Sequence, residues 1–362
     1  MRLLHLSLRN YRNYPRLDLT PGAGLNVFLG RNGQGKTNLL EAVALLALSA
    51  SPRARRDLEL IGPLAAEARV EARVESGGRQ TEIAYSVARS ESERTRRTIT
   101  VNGAARRAVD LPGHFRITLF WPDDLGLVKA GPELRRRLLN QLLVQVEPGY
   151  ARSLTRYGRV LEQRNSLLKQ VAMGAQPDEA LAVWDGELVR LGNEIARARA
   201  AVVAEMGELE RVQHPQLAAG ESLDLRYLGP PQDLEAAVHK SRPEDLRRGA
   251  TSVGPHRDDV EILLDGREAR AFGSQGQQRS AVVSMKLAEA AVVSSRTGEP
   301  PVLLLDDVLS ELDSERRLAL LERVGDGEQV IITSVEAGPF PAGSMAGAVV
   351  RCIAAGRVED CG

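Results

Sequence analysis

Gly30-Arg31-Asn32-Gly33-Gln34-Gly35-Lys36-Thr37 lies between two segments of opposite character. Before it runs Leu25-Asn26-Val27-Phe28-Leu29, apolar and β-rich. After it, Leu39, Leu40, Val43, Leu46 and Ala47 recur at helical spacing. A glycine-rich loop between a strand and a helix is the pattern of a phosphate cradle. Glycines let backbone N–H groups close around phosphate oxygens, and the helix N-terminus adds partial positive charge. Lys36 is expected to reach the β- and γ-phosphates of ATP, and the Thr37 hydroxyl to bind Mg²⁺. The expected nucleotide-binding residues are therefore Gly30, Arg31, Asn32, Gly33, Gln34, Gly35, Lys36, Thr37 and Asn38.

The partners of such a loop lie near the other end of the chain. Val302-Leu303-Leu304-Leu305 and Val330-Ile331-Ile332 are continuous apolar runs, as expected of strands buried on both faces of a parallel sheet. Asp306 closes the first run, where a P-loop protein needs a carboxylate for Mg²⁺. Asp307 follows, where a general base or water-orienting group belongs. Upstream, Phe272-Gly273-Ser274-Gln275-Gly276-Gln277 precedes a long helical pattern. A Ser-x-Gly-Gln turn before a helix is the signature of ABC-type ATPases. Ser274, Gly276 and Gln277 offer a second anion site, suited to the γ-phosphate held by another copy. Ser310-Glu311-Leu312-Asp313 has the look of a D-loop, and Thr333-Ser334 occupies the switch position.

Between these parts the sequence changes character twice. Residues 68–74, 81–87 and 98–103 alternate, with an Asn102-Gly103 hairpin signal, and predict an antiparallel sheet. From 131 to 212 the pattern is helical. Leu134, Leu138, Leu139, Leu142 and Leu143 share a face. Leu181, Trp184, Leu188, Leu191, Ile195, Ala198 and Val202 step by 3 and 4, predicting a short αα-hairpin arm. The expected fold is α/β: a P-loop ABC-type ATPase head, with a mixed sheet, helices and an antiparallel β subdomain. Residues 1–125 and 250–362 would form that discontinuous head, and 126–249 an inserted helical lobe.

Composition narrows the function classes. Of 362 residues, 48 are Lys or Arg and 48 Asp or Glu, so bulk charge does not announce nucleic acid. Positive charge is nearly all arginine, clustered at 53, 55 and 56, at 94, 96 and 97, and at 135 to 137. Each cluster reads equally as a solvated face. No stretch approaches the roughly 18 apolar residues of a membrane span. The start is too mixed for a signal peptide, so a cytoplasmic protein without a membrane partner is expected. Cys352 and Cys361 match no zinc spacing and are expected to be reduced thiols.

With these elements in place, the chain resembles the RecF family of bacterial recombination mediators. The likeness rests on Leu8-Arg9-Asn10-Tyr11-Arg12-Asn13-Tyr14, on Phe120-Trp121-Pro122-Asp123-Asp124-Leu125, on Thr251-Ser252-Val253-Gly254-Pro255-His256-Arg257-Asp258-Asp259, and on Leu304 to Asp313. It spans residue 3 to about 335. The resemblance implies an ATP-dependent homodimer that binds duplex DNA and single-strand gap edges. It implies work with RecR and RecO in loading RecA, and a slow DNA-dependent ATPase. It sets the opening turn beside the nucleotide, so Arg12 and Asn13 either contact ATP or form a surface turn. Asp307 stands where ABC enzymes usually have Glu, and its shorter reach implies slow hydrolysis. No Gln stands at the Q-loop position, where Asp123 or Asp124 takes its place. These departures, with the inserted arm, disfavour a transporter subunit. A P-loop kinase needs no serine turn, and a nuclease needs a metal cluster that the sequence lacks. Arg53, Arg55, Arg56 and Arg135 to Arg137 are the DNA-contact candidates, and Pro255 reads as fixing a turn.

Overall fold

A computed structural model describes residues 1–90, 95–218, 220–323, 328–338, 340, 345 and 347–361. The candidate cation Arg94 lies outside these. The nucleotide core is a six-stranded sheet in the order Arg357–Asp360, Val349–Ala354, Leu25–Leu29, Val330–Ser334, Val302–Asp306, Ile117–Phe120. Its neighbours are parallel except for the first pair, which forms an antiparallel hairpin. The inner strands read as unbroken apolar runs because both faces are covered.

A second six-stranded sheet is antiparallel and begins with Tyr14–Leu19, Arg2–Tyr11 and Glu67–Ser76. Its alternation puts Ala68, Val70, Ala72 and Val74 inward. The helix Lys36–Leu48 lies between the two sheets, and its Leu39 to Ala47 are all buried. Asn102 and Gly103 both adopt positive φ, 49° and 75°, as a two-residue hairpin turn requires.

The lobe is built on Pro132–Val146, Tyr150–Ala172 and Ala182–Leu217. The last two pack side by side and form the expected αα-hairpin. Leu181, Leu188, Leu191, Ile195 and Val202 are buried along the seam. Burying each such side chain contributes on the order of 1.5–3 kcal/mol. Two buried arginines then tie this arm to the segment 251–259. Arg164 is fully buried and donates to Asp185 (2.7 Å), Asp245 (2.9 Å) and Thr251 (2.7 Å). Arg199 donates to the Pro255 carbonyl (2.6 Å), Asp258 (3.1 Å) and Asn140 (3.0 Å). Tyr157 Oη lies 2.7 Å from His256 Nδ1, and His256 Nε2 lies 3.0 Å from the Thr251 carbonyl. Burial holds the His256 pKa below its usual value, so the neutral ring, protonated at Nε2, satisfies both contacts. The polar run 251–259 is a buried brace, and only its Arg257 is exposed.

Three readings of the sequence need correction. The boundary at 249/250 cuts a hydrogen-bonded sheet: Leu223–Leu228 pairs antiparallel with Asp259–Leu264. Val260, Ile262 and Leu264 therefore belong to the lobe core, together with Ala281, Val282 and Met285 of the helix Gln275–Thr297. Cys352 and Cys361 are joined in a disulfide rather than free. The hairpin turn at Ala355-Gly356 brings their Cα atoms to 5.1 Å. Arg135, expected to be a solvent-facing cation, is buried. It forms a two-pronged pair with Asp259 (2.5 and 2.9 Å) and also donates to the Leu127 carbonyl (2.6 Å). Among the described residues no helix is long and apolar enough to cross a membrane.

Candidate nucleotide site

Parallel register puts the chemistry at one end of the core sheet. Asp306 lies level with Thr333, Thr333 with Phe28, and Ser334 with Leu29. The loop 30–35 therefore starts beside both Asp306 and Thr333, at the carboxyl edge where α/β sheets bind ligands. The Gly30 N–H donates to the Ser334 carbonyl at 3.1 Å and fixes the loop's first residue. Gly35 has φ 119°, open to glycine alone. A Cβ there would meet Asn13 Nδ2 at 2.7 Å and Tyr14 Oη at 2.9 Å.

The helix behind the loop starts at Lys36 with no side-chain cap and no acidic residue in its first turn. Its N-terminal N–H groups thus keep their anion-binding capacity. Lys36 is buried, and its Nζ donates to the carbonyls of Gly30 and Arg31 (the latter 3.2 Å). Burial lowers its pKa, while Asp307 and Asp306 oppose that shift. The ammonium is positioned inside the loop it would share with phosphates.

Thr37 Oγ1 donates to Asp306 Oδ2 at 2.8 Å, and Thr333 Oγ1 donates to Asp306 Oδ1 at 2.7 Å. A hydroxyl and a carboxylate in contact, both hard oxygen ligands, fit Mg²⁺, which takes few protein ligands and keeps water or phosphate for the rest. Asp307 adopts φ 52°, strained for a non-glycine residue. Its N–H donates to the Thr333 carbonyl (3.1 Å), while among the described residues its buried Oδ1 has no hydrogen-bond partner. Burial raises its pKa, Asp306 adds to the rise, and Lys36 opposes it. An unsatisfied carboxylate oxygen with raised basicity suits a proton acceptor.

Of the opening turn, Asn13 reaches the loop and Arg12 turns away. Asn13 Nδ2 donates to the Gln34 carbonyl (2.9 Å) and its Oδ1 accepts from Asn38 (2.8 Å), whose own Oδ1 accepts from Arg53 (3.0 Å). Arg12 makes a bidentate pair with fully buried Glu41 (2.9 and 2.6 Å) and donates to the Glu59 carbonyl (2.7 Å). All three of its nitrogens are engaged, so it acts as a strut beneath the turn. Sequence reasoning missed Glu41, and also Tyr14, whose Oη donates to the Gly35 carbonyl at 2.9 Å. It also missed the C-terminal hairpin. The N–H of Ala355 donates to Gln34 Oε1 (2.7 Å) and that of Gly356 to the Gln34 carbonyl (3.0 Å). A Cβ on Gly30 would overlap the Ile353 carbonyl, so this hairpin supports both ends of the cradle.

The serine turn sits apart. Ser274 caps the helix Gln275–Thr297 by accepting from the Gln277 N–H (3.2 Å), and Gln277 Oε1 accepts from the Ser274 N–H (2.8 Å). Ser274 and Gln275 are exposed, as is neighbouring Phe272, while Gln277 is half-buried. Among the described residues no hydrogen bond joins this turn to the loop 30–37. At the Q-loop position, Asp124 Oδ2 accepts from the Trp121 N–H (2.8 Å) and lies 4.0 Å from buried Lys286 of the signature helix. Of the arginine clusters, Arg53, Arg55, Arg56, Arg96 and Arg97 are exposed; Arg97 is paired with Asp57 (2.7 Å), and Arg136 donates to the Asp258 carbonyl (2.6 Å).

Comparison with known proteins gives a consistent picture. The family model described as RecF/RecN/SMC N terminal domain matches residues 2–351. A DNA replication and repair protein RecF from Synechococcus sp. (strain JA-3-3Ab) is 39% identical over 374 residues, covering 99% of this chain and 97% of that protein. The solved recombination mediator protein RecF-ATPrS in the RecFOR pathway superposes with a TM-score of 0.90 at 30% identity, covering 100% of this chain and 98% of that one. An Smc head bound to the C-terminal winged-helix domain of ScpA superposes at 0.56 with 15% identity over 99% of this chain and 96% of that one, a likeness of fold.

Proposed function

Because the chain belongs to the RecF family of DNA replication and repair proteins, we propose that it is an ATP-gated DNA clamp. Two copies close on ATP, hold duplex DNA and gap edges, and act in the cytoplasm with RecR and RecO to help load RecA. The observation that carries this reading is the split site. One chain holds a phosphate cradle, a paired Thr37–Asp306 and a free Asp307 oxygen. Among the described residues its serine turn is bonded only within its own neighbourhood, and Ser274 is exposed. A second copy's turn supplies the missing donors to the γ-phosphate.

In this mechanism the loop N–H groups and Lys36 bind the β- and γ-phosphates. Thr37 and Asp306 would hold Mg²⁺, and the charge neutralisation it would supply on the phosphates is the only chemistry asked of it. Asp307 takes the proton of the attacking water through its unpartnered oxygen. The short aspartate arm makes turnover slow, and DNA bound across the dimer stimulates it. Exposed Arg53, Arg55 and Arg56 contact DNA phosphates, so DNA affinity falls steeply with salt.

Light scattering with and without ATP, repeated on duplex DNA across a salt series, tests this reading. A dimer is expected only with ATP. Ser274→Arg should leave nucleotide binding intact and abolish the dimer. A Ser274→Arg protein that still dimerises in ATP defeats the proposal.

A further inference from the structure

Three arginines surround the serine turn and the D-loop of the same copy. Arg316, in the helix Ser314–Arg323, extends back beneath the signature turn. Its guanidinium lies 3.5 Å from where a Gly276 Cβ would stand, and its Nε donates to Ser280 Oγ at 2.5 Å. Ser280 in turn donates to the Gly276 carbonyl at 3.1 Å. The same guanidinium makes an ion pair with Asp313, and the backbone N–H of Arg316 donates to Asp313 Oδ1 at 2.9 Å. Arg279, in the signature helix, lies 3.3 Å from Glu311, and Arg317 Nε donates to the Leu309 carbonyl at 2.6 Å. Ser310 closes the loop by donating to the Asp307 carbonyl at 2.6 Å. A continuous set of polar contacts therefore runs from Gly276 through Ser280 and Arg316 to Asp313, which ends the chain segment that begins at Asp307.

From this arrangement we infer that Arg316 is a positioning residue that locks the signature turn and the D-loop of one copy into a single rigid unit. The inference rests on the split-site reading above. Among the described residues Arg316 makes no hydrogen bond to the loop 30–37 of its own copy; its side chain bonds Ser280 and Asp313. Its effect is that the turn that recognises the twin's γ-phosphate cannot shift without carrying Asp313, Ser310 and the strained backbone of Asp307 with it. Recognition of ATP by one copy is thereby coupled to the placement of that copy's own proton acceptor. Closing two such units on a twofold axis readies both hydrolytic sites together. Arginine suits this role because the N–H groups of its planar guanidinium point in fixed, diverging directions, one to Ser280 and one to Asp313, a geometry that a lysine's freely rotating ammonium does not impose.

The test separates dimer formation from turnover. Arg316→Met should bind ATP with wild-type affinity and dimerise in ATP at nearly the wild-type midpoint. Single-turnover hydrolysis within the preformed dimer should fall about tenfold, the scale of one coupled contact. KM for ATP should stay level while kcat drops, a split that general loss of structure would not produce. Asp313→Asn, which leaves the Ser280 bond in place, should slow the same step. The double variant should be no slower than the slower single one, since both break one linkage. If Arg316→Met does not fold, Asp313→Asn and Ser280→Ala carry the same comparison. Unchanged single-turnover rates, or defects that multiply in the double variant, overturn the inference. A wild-type protein that never dimerises in ATP overturns the split site instead, so the two failures are told apart.

Discussion

Replacing Arg164 by methionine should unfasten the arm without touching the nucleotide site. The side chain is fully buried and pairs with Asp185 and Asp245, both nearly inaccessible. Removing one partner of a buried ion pair costs about 3–5 kcal/mol, because the remaining charge stays desolvated. Two features pull the cost toward the lower figure. Asp185 keeps Arg242 at 2.5 Å, and Asp245 keeps the N–H (2.9 Å) and hydroxyl (2.6 Å) of Ser252. A loss of about 3 kcal/mol follows, and a unit of lobe size should melt about 6–12 °C lower. Trp184 precedes Asp185 in the arm and reports this transition by its fluorescence. Asp185→Asn and Asp245→Asn added to Arg164→Met should recover at least half of the lost stability, because no unpaired charge is then buried. A loss below about 1 kcal/mol, or a triple variant less stable than the single one, would refute the account of the arm as held by charge pairing.

Other consequences are as direct. Asp307→Asn should reduce turnover by about 10²–10⁴-fold, the usual weight of a general base, and leave a long-lived ATP-bound dimer visible by light scattering. Unchanged turnover reassigns the proton acceptor. Because burial and Asp306 raise the Asp307 pKa, the acid loses its proton later than a free aspartate as pH rises. The acid limb of the rate profile should therefore lie above the ordinary aspartate range, and a limb at or below that range contradicts the geometry. Gly356→Ala places a Cβ against the Asn13 carbonyl at φ 73°, a strain of about 1–2 kcal/mol. ATP titration should show weaker binding, with a melting temperature about 2–8 °C lower, and equal affinity would detach the hairpin from the cradle. Lys36→Met should abolish ATP binding in the same titration and, with it, the ATP-dependent dimer.

What could be read from the chain follows from how local each feature is. The cradle, the serine turn and Asp306-Asp307 are short motifs whose spacing is the chemistry, so they stand out one by one. The parallel strands announced themselves because two-sided burial leaves no polar alternation. Arg135 was legible too, had helical spacing been given more weight than clustering. It falls on the face shared by Leu138, Leu139 and Leu142, three, four and seven residues on, which points it inward. Arg164 and Arg199 likewise sit among the seam residues Tyr157, Leu168, Ile195 and Val202. Glu41 hides in a helix buried all round, where no period betrays one charged position. The pairing of Leu223–Leu228 with Asp259–Leu264 and the approach of Ala355-Gly356 to Gln34 depend on contacts between distant segments. Nothing local encodes them.

The strand order also has a consequence for how the molecule is made. Leu25–Leu29, which carries the cradle, is flanked by Val330–Ser334 and Val349–Ala354. Both of these leave the ribosome some 300 residues after it. At roughly 5–20 residues per second, the edges of that strand wait on the order of 15–60 seconds for their neighbours. The nascent chain must keep an apolar, unpaired β-segment out of trouble for all of that time. A chaperone that shields it, or early docking of the antiparallel sheet over the following helix, decides how much of the newborn protein reaches the working form.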